Sequence, residues 1–327
     1  MCVMRAATLS ALSLALIGLS AACGGRVASS PSPAGSVSSI SCSLPVTMDT
    51  KNGGTASSQS GFISVPSGTF TPDPSGAYGP TYDWAYRRWL PVLTPQVLPD
   101  GSMYAYEVEL QDRPGYQLHA VWVQNSADKM IRDMPYDNAY SIVAMKPEGI
   151  YLVPIIHRSG VPGGLWLLSS TQATLTAVPG AGDNRWQVIE KGAAWGGPVG
   201  GDSLDRLDLT TGDVTTWFRH PIEPAMGIGA SNGPQVVGFD LSGHPLIEFV
   251  SEGATAPEVW LVSSPTEATK LTGLSLPASL RAGVTDTHGA WLVGSDGFYV
   301  LAGGRFERAA PMPPGPVGDF AIAGACV

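Results

Sequence analysis

Apolar residues recur along this chain in short runs, and the runs come in pairs joined by turn-forming residues. Residues 118–132, 164–178, 204–218, 258–272 and 297–309 share this form, an apolar strand, a turn-prone middle and a second strand. Short apolar strands paired across Gly, Pro, Asn, Asp and Ser turns read as β-hairpins. With Trp122, Trp166, Leu207, Trp260 and Tyr299 as equivalent positions, the spacings are 44, 41, 53 and 39 residues. A period of roughly 40 residues holds four short strands and their turns, which is the length of one propeller blade.

A further apolar run precedes the hairpins, at 103–110, 149–156, 245–249 and 289–294. Turn signals introduce these runs: Pro99-Asp100-Gly101, Pro147-Glu148-Gly149, Ser242-Gly243-His244 and Asp286-Thr287-His288-Gly289. Glycine in such turns supplies the positive φ that they need. Five repeats fill residues 95–313, and the terminal segments 61–92 and 318–323 remain to build one shared blade. Closing a ring in that way removes the free sheet edges. The expected fold is therefore all-β, a β-propeller of six blades of four antiparallel strands. Seven blades, with the long fourth repeat split in two, is the alternative.

The run Leu98-Pro-Asp-Gly-Ser-Met-Tyr-Ala-Tyr106 resembles the SPDGxxIAY blade motif of TolB-like and WD40-like propellers. That resemblance implies the fold and says little about activity, because the aspartate and glycine make a turn.

The N-terminus carries Arg5, an apolar stretch to Ala22, and then Leu19-Ser20-Ala21-Ala22-Cys23 at its end. This is the pattern of a signal peptide over residues 1–22. A cysteine after two small residues resembles the lipobox of bacterial lipoproteins, which implies an acylated Cys23 and a chain anchored on the extracytoplasmic side of the cell membrane. Ser20 stands where that motif usually has leucine, so plain secretion is the alternative address. Residues 23–60 are rich in Ser, Gly and Pro and read as a flexible tether, with the domain occupying 61–327.

Once Cys2 is cleaved away and Cys23 acylated, Cys42 and Cys326 remain. An oxidising compartment favours a disulfide between them, with two free thiols as the alternative.

Composition narrows the function. Only 14% of residues are charged, 40 are Gly and 28 are Pro, and the formal net charge is −9, which becomes −10 when the segment containing Arg5 is removed. This balance argues against nucleic acid as a partner. The histidines 119, 157, 220, 244 and 288 show no metal-ligand spacing, and the Gly-Gly pairs lack a phosphate-loop context. No metal, no cofactor and no hydrolase nucleophile elbow is expected.

The exception is Asp286-Thr-His288-Gly-Ala-Trp291, which resembles the DxxGxxWF repeat of streptogramin-lyase-like propellers. The resemblance implies a site at the axial mouth built on Asp286 and His288. A turn and a core tryptophan account for the same residues. The crowded aromatics Tyr82, Trp84, Tyr86 and Trp89 read as core, with a carbohydrate or peptide platform as the sharper reading. The expectation is a monomeric, membrane-tethered module that binds or scaffolds a protein, peptide or glycan. A propeller lyase or hydrolase is the alternative.

Overall fold

The computed structural model of the chain describes residues 40–327 except 53–54, 78, 156–162, 171–173, 199–200, 221–232, 251–256, 276–279 and 315–317. Residues 1–22, where a signal peptide is expected, Cys23 and His157 lie outside the described residues.

Among the described residues, twenty-five strands form seven antiparallel sheets, five of four strands, one of three and one of two. The first sheet contains β1 (Cys42–Asn52), β2 (Thr55–Val65) and β3 (Thr69–Pro72), with β25 (Gly318–Ile322) added beside β1. A two-stranded sheet follows, β4 (Thr81–Asp83) and β5 (Arg88–Leu90). The third sheet is β6 (Met103–Glu109), β7 (Gly115–Trp122) and β8 (Ala127–Pro135), with a single bridge from Val97 to Tyr104 on its free side.

The four remaining sheets each take four consecutive strands. They are β9–β12 (140–177), β13–β16 (185–219), β17–β20 (235–270) and β21–β24 (284–311). The five hairpins read from the sequence are the last two strands of their sheets, β7–β8, β11–β12, β15–β16, β19–β20 and β23–β24. Second strands such as β14 (Ala193–Gly197) and β18 (Pro245–Phe249) are buried throughout, whereas the outermost β20 (Glu267–Lys270) is exposed at every residue. Each blade thus runs from an apolar interior to a polar rim, as four-stranded sheets stacked face to face require.

The core lies between the sheets. Ala105 and Leu118 pack with Ile150 and Leu152 of the next sheet, and Tyr151 with Trp186 and Leu207. Trp195 and Leu204 meet Phe239 and Ile247, and Leu246 meets Leu292 and Leu301. The last interface returns to the first sheet, where Leu44, Val46 and Ile322 pack against Trp291 and Phe298. Phe62 of the first sheet meets Trp89 of β5, and Leu90 and Val92 pack against Val123 after β7, so the succession closes into a β-propeller.

Two expectations change. Composition predicts a tether as far as residue 60, but Cys42–Asn52 is β1, paired in continuous register from Cys42↔Val65 to Asn52↔Thr55. Leu44 to Met48 are buried throughout, with the apolar Leu44, Val46 and Met48 separated by Pro45 and Thr47, a run that the Ser-rich flanks disguise. The domain therefore starts near Cys42 and not at residue 61. The additional sheet, moreover, is not in the long fourth repeat, whose described residues form one sheet, but at β4–β5, between the shared blade and the first repeat.

Shared closure holds in structural detail. β25 pairs with β1 from Val46↔Ile322 to Thr50↔Gly318, and Cys42 and Cys326 form a disulfide with Cα atoms 5.5 Å apart across a sequence separation of 284. The backbone of Ser43 exchanges hydrogen bonds with Val327 at 2.8 and 3.3 Å.

Candidate functional site

Asp286 ends β21 (Val284–Asp286), and His288 precedes β22 (Gly289–Val293) in the turn between them. Gly289 has φ +140°, and a Cβ there would strike the Leu301 carbonyl, so the turn requires glycine. The His288 backbone N–H donates to Asp286 Oδ1 at 2.7 Å, and His288 Nδ1 lies 3.2 Å from the same oxygen. Asp286 Oδ2 accepts the backbone N–H of Cys326 at 2.8 Å. The Asp286 side chain is 6% exposed and that of His288 31%. Both carboxylate oxygens therefore hold backbone, one within the turn and one in the disulfide-bonded tail. Trp291 is fully buried, its ring 6.2 Å from His288.

The other described histidines are also engaged. His244 repeats the turn pattern with Asp240, donating its backbone N–H to Oδ1 at 2.8 Å. His220 is buried, stacks on Phe249 at 3.8 Å, and approaches Glu258, which also accepts from Lys270 Nζ at 2.7 Å and Trp260 Nε1 at 3.1 Å. Among the described residues, no three His, Cys, Asp or Glu side chains come together in a way that could hold a metal.

One motif corrects the expectation that no nucleophile elbow is present. Gly229-Ala230-Ser231-Asn232-Gly233 has the Gly-x-Ser-x-Gly spacing. Residues 229–232 lie outside the described residues, and the element that follows is strand β17 (Gln235–Phe239), where an elbow leads into a helix.

Of the crowded aromatics, Trp89 is buried, with Nε1 donating to Asp73 Oδ2 at 3.0 Å, and Trp84 Nε1 donates to the Ala325 carbonyl at 2.9 Å. Phe62, Tyr82, Trp84 and Trp89 form one edge-and-tilt cluster that joins the first sheet to the β4–β5 hairpin. Of the four predicted aromatics, only Tyr86, at 38% exposure, is left at the surface.

A cleft that sequence reasoning missed lies over the third sheet, with a volume of about 370 Å³, lined by Pro91, Tyr104, Tyr106, Val121, Ser126 and Asp128. Strand alternation puts Tyr104 and Tyr106 on one face of β6, and the register sets Val121 opposite Tyr104 and His119 opposite Tyr106. Asp128 on β8 faces Val121. The Tyr106 hydroxyl donates to Asp128 Oδ2 at 2.6 Å, and His119 Nδ1 lies 2.9 Å from Asp128 Oδ1. Burial, followed by the bond to Asp128, pushes the Tyr106 phenol up to about 12, while the bonds from Tyr106 and then His119 hold the Asp128 carboxyl below its usual range. At neutral pH the cleft thus offers a neutral phenol and an ionised carboxylate. Its sequence signal, the cross-strand pairing of Tyr104 and Tyr106 with the His119 strand, is visible only once the register is known.

No family model matches the chain, and no curated protein does. Among solved structures, TolB from Acinetobacter baumannii is similar at 13% identity and TM-score 0.44, covering 86% of this chain and 67% of that one. The β-propeller domain of the Trilobed protease from Pyrococcus furiosus is similar at 9% identity and TM-score 0.40, covering 82% and 84%. A chain of the nidogen/laminin complex is similar at 10% identity and TM-score 0.41, covering 79% and 89%.

Proposed function

We propose that this chain is an extracytoplasmic binding or scaffold module, exported by its first 22 residues and held at the membrane through an acylated Cys23. The observation that carries the non-catalytic reading is the use of Asp286, whose two carboxylate oxygens each accept a backbone N–H, from His288 and from Cys326. Asp286 thus fastens its own turn to the disulfide-bonded tail, a structural task that accounts for its burial and bonding without catalysis. Of three other aspartates, Asp208 holds the Thr210 and Thr211 amides, Asp73 holds Ser75 and Asp100 holds Ser102, and those bonds lower their pKa values. Export accords with the disulfide, which belongs to oxidising compartments.

The same reading counts six blades. The Val97–Tyr104 bridge supplies a short fourth strand to the third sheet, and β4–β5 is then an insertion between two blades.

The test is to expose an extract of the producing cell envelope to the full chain, and to His288→Ala, and to follow both retained and converted components by mass spectrometry. The reading expects components retained equally by both proteins and none converted. Conversion by the wild-type chain that His288→Ala abolishes would instead establish the propeller-lyase alternative.

A further inference from the structure

We infer that the cleft over β6, β7 and β8 takes one neutral sugar ring of a glycan; the inference rests on the binding reading above and names a ligand class for it. Three features of the cleft converge on that chemistry. The first is an apolar wall: Tyr104 and Tyr106 stand 6.3 Å apart with their planes 39° from parallel, next to Val121 and Pro91. The aliphatic C–H face of a sugar packs on such rings, which combine a large apolar area with little conformational freedom.

The second is a fixed polar array. Asp128 already accepts from Tyr106 and engages His119, so its position is set before any ligand arrives. A carboxylate has about four acceptor sites, and these two bonds take one on each oxygen. The remaining lone pairs can accept from a pair of sugar hydroxyls, and the Ser126 hydroxyl at the exposed rim can donate or accept. Preorganised acceptors of this kind lower the ordering cost of binding.

The third is charge balance. Burial raises the Tyr104 phenol, and the Arg88 guanidinium, bound to the Val123 carbonyl at 3.0 Å, is close enough to oppose that shift. Tyr104 in the cleft wall thus feels both the Arg88 guanidinium and the Asp128 carboxylate, so neither a strongly cationic nor a strongly anionic ligand gains greatly from the local field. A neutral polyhydroxylated ring with one apolar face satisfies all three conditions.

The experiment uses the full chain in detergent and, as probes, the methyl glycosides of glucose, galactose, mannose, arabinose and N-acetylglucosamine, with tetramethylammonium as the cationic control. Saturation-transfer NMR measures binding in the millimolar range, and thermal unfolding verifies the fold of each variant. At least one glycoside is expected to bind, and Tyr106→Phe and Asp128→Asn, both nearly isosteric, are each expected to weaken it about tenfold, since each removes hydrogen-bonding capacity at the cleft. His288→Ala is expected to leave it unchanged.

Glycoside binding insensitive to both cleft variants would overturn the inference and leave the binding reading intact. So would tetramethylammonium binding in the cleft with no glycoside bound. Absence of any glycoside binding overturns the inference too, while retention of an envelope component in the extract experiment decides the broader reading separately.

Discussion

Asp286 Oδ2 accepts the backbone N–H of Cys326 at 2.8 Å, so the last blade's inner turn grips the residue whose sulfur is bonded to Cys42 at the start of β1. Ring closure is therefore threefold: the β1–β25 ladder, the disulfide, and a nearly buried carboxylate that ties both to the neighbouring blade. Hydrogen bonds to an ionised, shielded acceptor are stronger than neutral ones.

Asp286→Ala is expected to destabilise the domain by about 2–3 kcal/mol, because two backbone donors lose a charged acceptor. His288→Ala, which removes a partly exposed ring and leaves its own amide bound, is expected to cost under about 1 kcal/mol. Urea unfolding of the disulfide-bonded proteins measures both. Equal costs would mean that the imidazole, and not the tail contact, is the important element of this turn.

Reduction, or Cys42→Ser with Cys326→Ser, is expected to lower stability by roughly 2–5 kcal/mol, because the bond restrains a loop of nearly the whole domain in the unfolded chain. The fold should persist, since β25 remains paired with β1 and Ser43 with Val327. Thermal unfolding with and without reductant reads the difference.

Gly101→Ala is expected to cost about 1–3 kcal/mol. Gly101 has φ +73°, and a Cβ there would collide with the Asp83 carboxylate, itself holding the amides of Ala85 and Tyr86 in the β4–β5 turn. The backbone has little room to yield, because the next amide, of Ser102, is bound to Asp100 Oδ1 at 3.0 Å. Thermal unfolding of Gly101→Ala checks the size of the loss, and an unchanged midpoint would show that this turn relaxes freely.

Glu248 lies on β18, almost fully buried, and accepts the Leu280 amide from the connection leading into β21 at 3.0 Å. Burial raises its pKa above the ordinary carboxylate value, and the Leu280 bond only partly opposes that. A raised folded-state pKa means that its contribution is fully present at pH below the unfolded value and is lost as pH rises through the folded value. Glu248→Gln keeps an acceptor for Leu280 without the charge. It is expected to gain stability relative to the wild type as pH increases from acid to neutral, measured by urea unfolding across that range. A difference that is independent of pH would contradict the assigned cause.

Much of this architecture was legible in the sequence because a hairpin writes itself locally. The apolar run Val259–Val262 and the Gly303-Gly304 turn need no distant partner to be recognised. What stayed hidden depends on pairing between distant segments. β1 was obscured because Ser- and Thr-rich strands look like tether, and its cohesion comes from backbone bonds to β2 and β25 on either side. The β4–β5 hairpin has only three residues in each strand, too few for a period to emerge. The cleft escaped notice because Tyr106, His119 and Asp128 come from three strands and meet only through their register. Asp286 was found by its motif, but its contact with Cys326 spans 40 residues and no local pattern announces it.

The most direct test of the central claim, an exported, tethered propeller closed between its termini, is intact-mass analysis of the membrane fraction from a bacterium that acylates lipoproteins, before and after reduction of the denatured chain. The account predicts a chain that begins at Cys23 with added acyl mass and gains the mass of two hydrogens on reduction. A soluble chain cleaved elsewhere would contradict the tether, and a mass unchanged by reduction would contradict the Cys42–Cys326 closure.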